Sequence, residues 1–222
     1  MKILMLVNWK VLSCKETPND KQPPDYRVEG EPYWFYRYFH QKDDVDIIDI
    51  SSVPWLEKFE REKLRFYVLQ ALKAIPKLHK YDLIVSHGMQ SAVVVCLYRR
   101  FFKGKEKHIV FDIGSFNSAA ESGGALKLMQ FASRSIDGLI YHTSAQHGYY
   151  EKFFPWLVEK SQFIRFGTDG VFWKKETDSK EEIKDLAAAE NGSVPYILCV
   201  GYIKRDWDTL YRAYAALAKQ YE

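Results

Sequence analysis

The sequence predicts an α/β protein, a Rossmann-like parallel sheet with helices on both faces. Three observations predict it. Short apolar runs of strand length alternate with longer segments of helical period, the opening run is apolar throughout, and the strand–helix order repeats along most of the chain. That order requires right-handed crossovers and places helices over a parallel sheet.

The elements follow in order. Residues 3–7 (ILMLV) read as a strand buried on both faces, and residues 45–50 (VDIIDI) as a second strand. Between 55 and 81, Leu56, Phe59, Val68, Leu72, Ile75 and Leu78 recur near the helical period, predicting one long amphipathic helix that Pro76 kinks or ends. Strands are expected at 83–85, 109–113, 139–141 and 163–166, with helices over 91–102, 123–135 and 145–154. The first loop, 10–31, is long and rich in Pro, Asp and Lys, and Pro32 suits the first turn of a helix through the aromatic run PYWFYRYF. Those aromatics read as core or as a sugar-stacking platform, with Trp34 and Tyr38, four apart, the candidates for exposure.

Residues 173–194 are polar, charged and almost free of aromatics, the composition of an interdomain linker. Then 196–200 (YILCV), Gly201 and a helix from about residue 206 restart the β–α pattern. One strand and one helix cannot bury a core of their own. The expected organisation is therefore a first domain over 1–172, a linker over 173–194, and the first β–α unit of a second, truncated domain over 195–222.

Composition narrows the function classes. Of the 222 residues, 47% are apolar and 27% charged, as in ordinary globular proteins, and a net charge of +3 does not argue for nucleic acid. Cys14, Cys96 and Cys199 are widely spaced with no C-x-x-C, which fits a reducing cytoplasm. Asn8, Trp9 and Lys10 end the opening apolar run too early for a signal peptide, and no stretch approaches the ~20 apolar residues of a membrane span. The expectation is a cytoplasmic protein, peripheral at a membrane at most. The glycine fingerprint of dinucleotide enzymes is missing after the first strand, as are a P-loop, a G-x-S-x-G elbow and any metal-ligand spacing. No metal and no cofactor are expected.

Ligands of open parallel sheets bind at the carboxyl ends of the strands, which selects 8–30, 86–90, 112–117, 142–144 and 167–169, and after the restart 201–205. Five segments there carry a resemblance. YDLIVSHGMQS (81–91), HIVFDIGSFN (108–117), IDGLIYHTSAQHGYYEKFF (136–154), FIRFGTDGVFW (163–173) and VGYIKRDWDTLYRAYAAL (200–217) follow one another in the order of the motifs of family-four glycosyltransferases. That family has the two-Rossmann-domain architecture called GT-B. The chain resembles its N-terminal, acceptor-side domain plus the start of its donor domain.

The resemblance implies transfer of a sugar from a nucleotide-sugar co-substrate to a glycan or lipid-linked acceptor, with retention of configuration and no activity in a lone half. His87 falls on the second histidine of the family's D-x-x-H-x-H strand, and Asp112 on the acid of its V-[YF]-D-x-H strand; these are the implied catalytic residues. His87 equally suits a strand cap. Asp112 would orient the acceptor or stabilise positive charge in a retaining enzyme and act as base in an inverting one. Acceptor contacts are implied at Gly30, Glu31, Trp34, Gly88, Gly114, Ser115 and Asn117, of which the last three equally form a turn. Donor contacts are implied at Gly167, Asp169, Gly201, Lys204 and Arg205. The sequence departs from the family at Glu31, Gly114 and Tyr202, which replace a glycine, a histidine and an arginine. Lys204 and Arg205 suit a leaving diphosphate or a solvated helix start.

Residues 98–108 (YRRFFKGKEKH) set Arg99, Arg100, Lys103 and Lys105 among aromatics. This suits an anionic membrane surface or a solvated helix end. The competing function class is a non-catalytic Rossmann-like binding or assembly module.

Overall fold

The structure is a computed structural model that describes residues 1–39, 43–102, 104–114, 121–165 and 207–221. The chain divides into two units, Met1–Gly167 and Thr168–Glu222. Of the second, the described part is one helix, Trp207–Tyr221 (α7 below).

Among the described residues the first unit holds eight strands: β1 (Lys2–Leu6), β2 (Leu12–Cys14), β3 (Tyr26–Val28), β4 (Asp44–Ile48), β5 (Leu83–His87), β6 (Lys107–Asp112), β7 (Gly138–Tyr141) and β8 (Ser161–Phe163). Six form one sheet in the order β4-β1-β5-β6-β7-β8, and every pairing is parallel. The helices are α1 (Pro54–Phe59), α2 (Val68–Ala74), α3 (Met89–Phe101), α4 (Gly123–Ser133), α5 (Ser144–Phe153) and α6 (Pro155–Val158). This is the expected Rossmann-like α/β fold.

Alternation along each strand sorts the side chains between the faces. Leu4, Leu6 and Ile84 pack with Ala71, Ala74 and Leu78 beneath α2 and α3. The same layer continues through Val110, Leu139 and Tyr141 against Val93, Leu126, Ala132, Tyr150 and Phe154 of α3, α4 and α5. On the opposite face Ile3, Met5, Val7 and Val85 lie under Tyr33, flanked by Trp9, Phe35 and Tyr36. Each fully buried side chain of this size contributes about 1.5–3 kcal/mol.

Several sequence expectations are corrected. The single helix over 55–81 is four pieces: α1, a π-helical turn at Glu60–Leu64, α2, and a 3-10 turn at Ile75–Lys80. Arg65 sits at φ 59°, a left-handed step that no helix continues through. Glu60, 1% exposed, takes the Leu69 N–H at 2.8 Å and so satisfies a free donor in the first turn of α2. Pro76 lies in the 3-10 turn, where its missing N–H is tolerated. Pro32 opens no α-helix; the aromatic run makes only the 3-10 turn Trp34–Tyr36. The loop over 10–31 contains a small parallel ribbon, β2 with β3. The last strand falls at 161–163 rather than 163–166. The linker and the restart strand lie outside the described residues. Among the described residues no helix is long and apolar enough to cross a membrane.

Arg99 is the largest correction. It is 0% exposed and cannot face a membrane. Its guanidinium reaches Glu106 Oε1 (3.3 Å), the Glu106 carbonyl (2.7 Å), the Ser135 carbonyl (2.7 Å) and Asp137 Oδ2 (3.0 Å). Arginine's planar fork suits a site that satisfies several acceptors at once, which is why burial here is tolerable.

Candidate functional site

The strand order reverses at β1. From β1 the chain crosses to β4 on one side and then returns to β5 on the other, so the carboxyl ends of β1 and β5 meet at the point where open parallel sheets form a ligand crevice. Asn8 and Trp9 follow β1, and His87 ends β5. Asn8 Oδ1 and His87 Nδ1 are 3.3 Å apart across that crevice. With the Asn8 oxygen as acceptor, Nδ1 carries the imidazole proton and Nε2 keeps its lone pair.

Aromatic rings surround this imidazole. Trp9 meets it edge-on at 4.5 Å and Phe35 at 5.8 Å, while Phe111 of β6 lies nearly parallel at 6.4 Å. Beyond Phe111, His142 stacks at 6.3 Å, so three neighbouring strands contribute a row of rings, His87–Phe111–His142. Burial pushes the His87 pKa down to about 4, helped by the facing His142. The imidazole is neutral at pH 7 and works as a hydrogen-bond acceptor or base, not as a cation. His142 itself shares a hydrogen bond with the Ile164 carbonyl at 2.7 Å. Trp9 is fixed in turn by its indole N–H, 3.3 Å from both the Pro24 carbonyl and the Tyr33 hydroxyl. That hydroxyl donates to the Pro24 carbonyl at 2.7 Å.

Asp112 is placed differently from its expected catalytic role. It is 0% exposed. Its carboxylate accepts the Tyr150 hydroxyl at 2.5 Å, the Gln146 amide at 3.1 Å and the Gly114 N–H at 3.0 Å. Gln146 is the keystone: while its Nε2 donates to Asp112, its Oε1 accepts the N–H groups of His142 (3.1 Å) and Thr143 (2.9 Å), fixing the entry to α5. Burial, and then the Asp112 charge, push the Tyr150 pKa far above its ordinary value, so the phenol remains a donor. Asp112 thus ties the end of β6 to α5.

The acceptor-side glycines also part company. Gly88 holds φ 84° between β5 and α3, and its N–H is spent on the Phe111 carbonyl at 2.7 Å. It shapes the turn after His87 and offers no donor to a ligand. Gly114, at φ 101°, likewise gives its N–H to Asp112. Gly30 and Glu31 lie away from this turn, in the wall of a cavity of about 480 Å³ that Ser13, Arg27 and Tyr33 also line. Trp34 is half-buried and edge-on to Phe35 at 4.8 Å, one ring removed from His87. Ser115, Asn117, Gly167, Asp169, Gly201, Lys204, Arg205 and Lys103 lie outside the described residues.

The sequence selected the stretch 8–30 without singling out Asn8 or Trp9 in it, and it gave no role to Gln146 or Tyr150. The Thr143-x-x-Gln146 spacing is a capping signature and was legible. Asn8 and Trp9 carry no local signal; only the return of β5 beside β1 gives them a partner.

No protein-family model matches the chain, and no curated protein matches it. Among solved structures it is similar to Anabaena Alr3699/HepE in complex with UDP, at 15% identity over 87% of this chain and 50% of that one, with a TM-score of 0.49. It is similar also to Anabaena Alr3699/HepE in complex with UDP and glucose, at 15% identity over 85% of this chain and 51% of that one, TM-score 0.47. The chain spans about half the length of the solved proteins that it matches.

Proposed function

We propose that this chain is the acceptor-binding half of a nucleotide-sugar-dependent glycosyltransferase, with His87 as the residue that engages the acceptor hydroxyl. The observation that carries the reading is the His87–Asn8 pair at the point where the strand order reverses, walled by Trp9, Phe35 and Phe111. A neutral Nε2 accepts a hydrogen bond from the acceptor's O–H and turns the oxygen lone pair toward the sugar, while the rings offer a face for a pyranose to stack on. The order of the five segments that resemble family-four enzymes supports the same reading.

The donor would be held mainly by residues beyond 172, including Lys204 and Arg205, and the acceptor would be a glycan or a lipid-linked sugar. Retention of configuration follows from the family resemblance. These 222 residues by themselves are expected to show no transfer, because one β–α unit after the linker cannot bury a core of its own.

The test is transfer by the protein translated from the whole coding frame, supplied with nucleotide-sugars of several bases and a cell-envelope extract. Acceptor-dependent release of nucleotide is expected, and His87→Ala should lower kcat/KM by roughly 100-fold. Silence with every donor would defeat the reading.

One observation favours a second reading, a non-catalytic binding module: Asp112, the expected acid, is buried and fully engaged. Glycan binding that His87→Ala abolishes, without nucleotide release from any donor, would select it.

A further inference from the structure

We propose that the surface formed by the last turn of α3 and the outer face of α4 docks on an anionic lipid bilayer. Phe101 and Phe102 close α3 at 70% and 66% exposure, and Phe131 and Leu128 on α4 are 40% and 38% exposed. They form one continuous patch. The Phe101 ring is 6.0 Å from Phe131, the Arg100 guanidinium lies 4.9 Å over Phe131, and Tyr98 stacks on Phe102 at 5.1 Å.

Cations border these rings. Arg100, Lys105 and Lys107 are exposed on the α3 side, as are Lys127 and Arg134 on α4. Lys127, Phe131 and Arg134 fall at i, i+4 and i+7, on one face of that helix. Between residues 98 and 107 and between 123 and 134 the sequence contains a single acid, Glu106. It is 3% exposed and turned inward to Arg99, as is Asp137. The buried arginine therefore absorbs the local negative charge and leaves the outer surface of one sign. This is why Arg99, although it faces no solvent, matters to the patch.

The chemistry favours a bilayer over a polyanion in solution. Exposed phenyl rings with no polar tip gain nothing against phosphates, but they insert at the boundary of headgroup and acyl chain. Each bordering cation adds about a five-fold gain in binding to an anionic leaflet. Lys107 opens β6 and both helix ends lie at the amino ends of the strands, so the patch occupies the edge of the sheet opposite the His87 crevice. A docked protein keeps the crevice open to solvent. The inference does not rest on the transferase reading.

The chain should co-sediment with vesicles of phosphatidylcholine containing phosphatidylglycerol, bind phosphatidylcholine alone far more weakly, and be released as salt rises. Phe101→Ser with Phe102→Ser, and separately Arg100→Glu with Lys107→Glu, should each weaken binding roughly ten-fold or more. Lys58→Glu with Lys63→Glu, at exposed positions of α1 and the π-helical turn after it, should leave it unchanged. All six positions are exposed, and unchanged circular dichroism separates lost docking from lost fold. Failure to bind the phosphatidylglycerol vesicles, indifference to both patch variants, or displacement from vesicles by duplex DNA would overturn the proposal.

Discussion

His108 shows what a single buried residue asks of the solvent. It is 0% exposed, with Nε2 2.8 Å from Ser86 Oγ and Nδ1 3.6 Å from Cys96 Sγ. Burial, with Arg99 nearby, pushes its pKa down to about 3. In the unfolded chain it titrates near 6.5, so the unfolded state binds a proton that the fold refuses. Stability is fully present above pH 6.5 and is lost as pH falls from there toward 3, at about 1.4 kcal/mol per pH unit. His87 adds a second proton to the slope between 6.5 and about 4. Urea midpoints measured from pH 7 down to pH 4 should follow that slope, and His108→Gln should flatten it by one proton; an unchanged slope would show that His108 is charged in the fold. Tyr150→Phe removes the donor at 2.5 Å from a buried carboxylate and should cost about 1.5–3 kcal/mol in chemical unfolding. Neither residue is conspicuous in the sequence, because a lone histidine inside an apolar run is the same letter whether it is core or ligand. The fold decides that His108 is core, 0% exposed, while His87 stays partly exposed at the end of β5.

At the scale of elements, α3 is pinned at both ends by residues with no local helical purpose. Gly88 enters it at φ 84°, where a Cβ is strained, and Gly88→Ala should cost about 1–3 kcal/mol and shift the His87 ring. Calorimetry checks the cost, and loss of acceptor binding checks the shift. Arg99 closes the far end, joining α3 to the starts of β6 and β7 through Glu106, Ser135 and Asp137. Arg99→Met leaves two acids with their partner gone and should destabilise by about 3–5 kcal/mol; Arg99→Lys, a point charge without the fork, should recover less than half. A loss below 1 kcal/mol in urea unfolding would mean that the network is dispensable. The six strands of the main sheet and α3 to α5 were legible because hydrophobic period marks them. The broken stretch from α1 to Lys80 was not, since its apolar spacing is helical throughout. What breaks it is Arg65 in the left-handed region and Glu60 turning in to cap α2.

For the molecule as a whole, the six-stranded sheet lies entirely within Met1–Gly167. A fragment ending at Gly167 should therefore unfold in one cooperative urea transition, with fluorescence and circular dichroism coinciding. Separate transitions would mean that the sheet needs residues beyond 167. The sequence by itself determined the fold class, the order of the six strands of the main sheet, and where the carboxyl ends of those strands fall. It did so because burial on both faces of a parallel sheet imposes a pattern visible over a few neighbouring residues. It also picked out His87, whose place at a strand's carboxyl end follows from that same local order. Only the tertiary structure decided which polar residues meet each other. Asp112 disappears beneath Tyr150 and Gln146, Arg99 turns inward, and Asn8 comes to His87 from 79 residues away. Such pairings are fixed by how strands stack and helices cross, and the energy that selects them, satisfying every buried charge and donor, is summed over contacts that no local stretch of sequence contains.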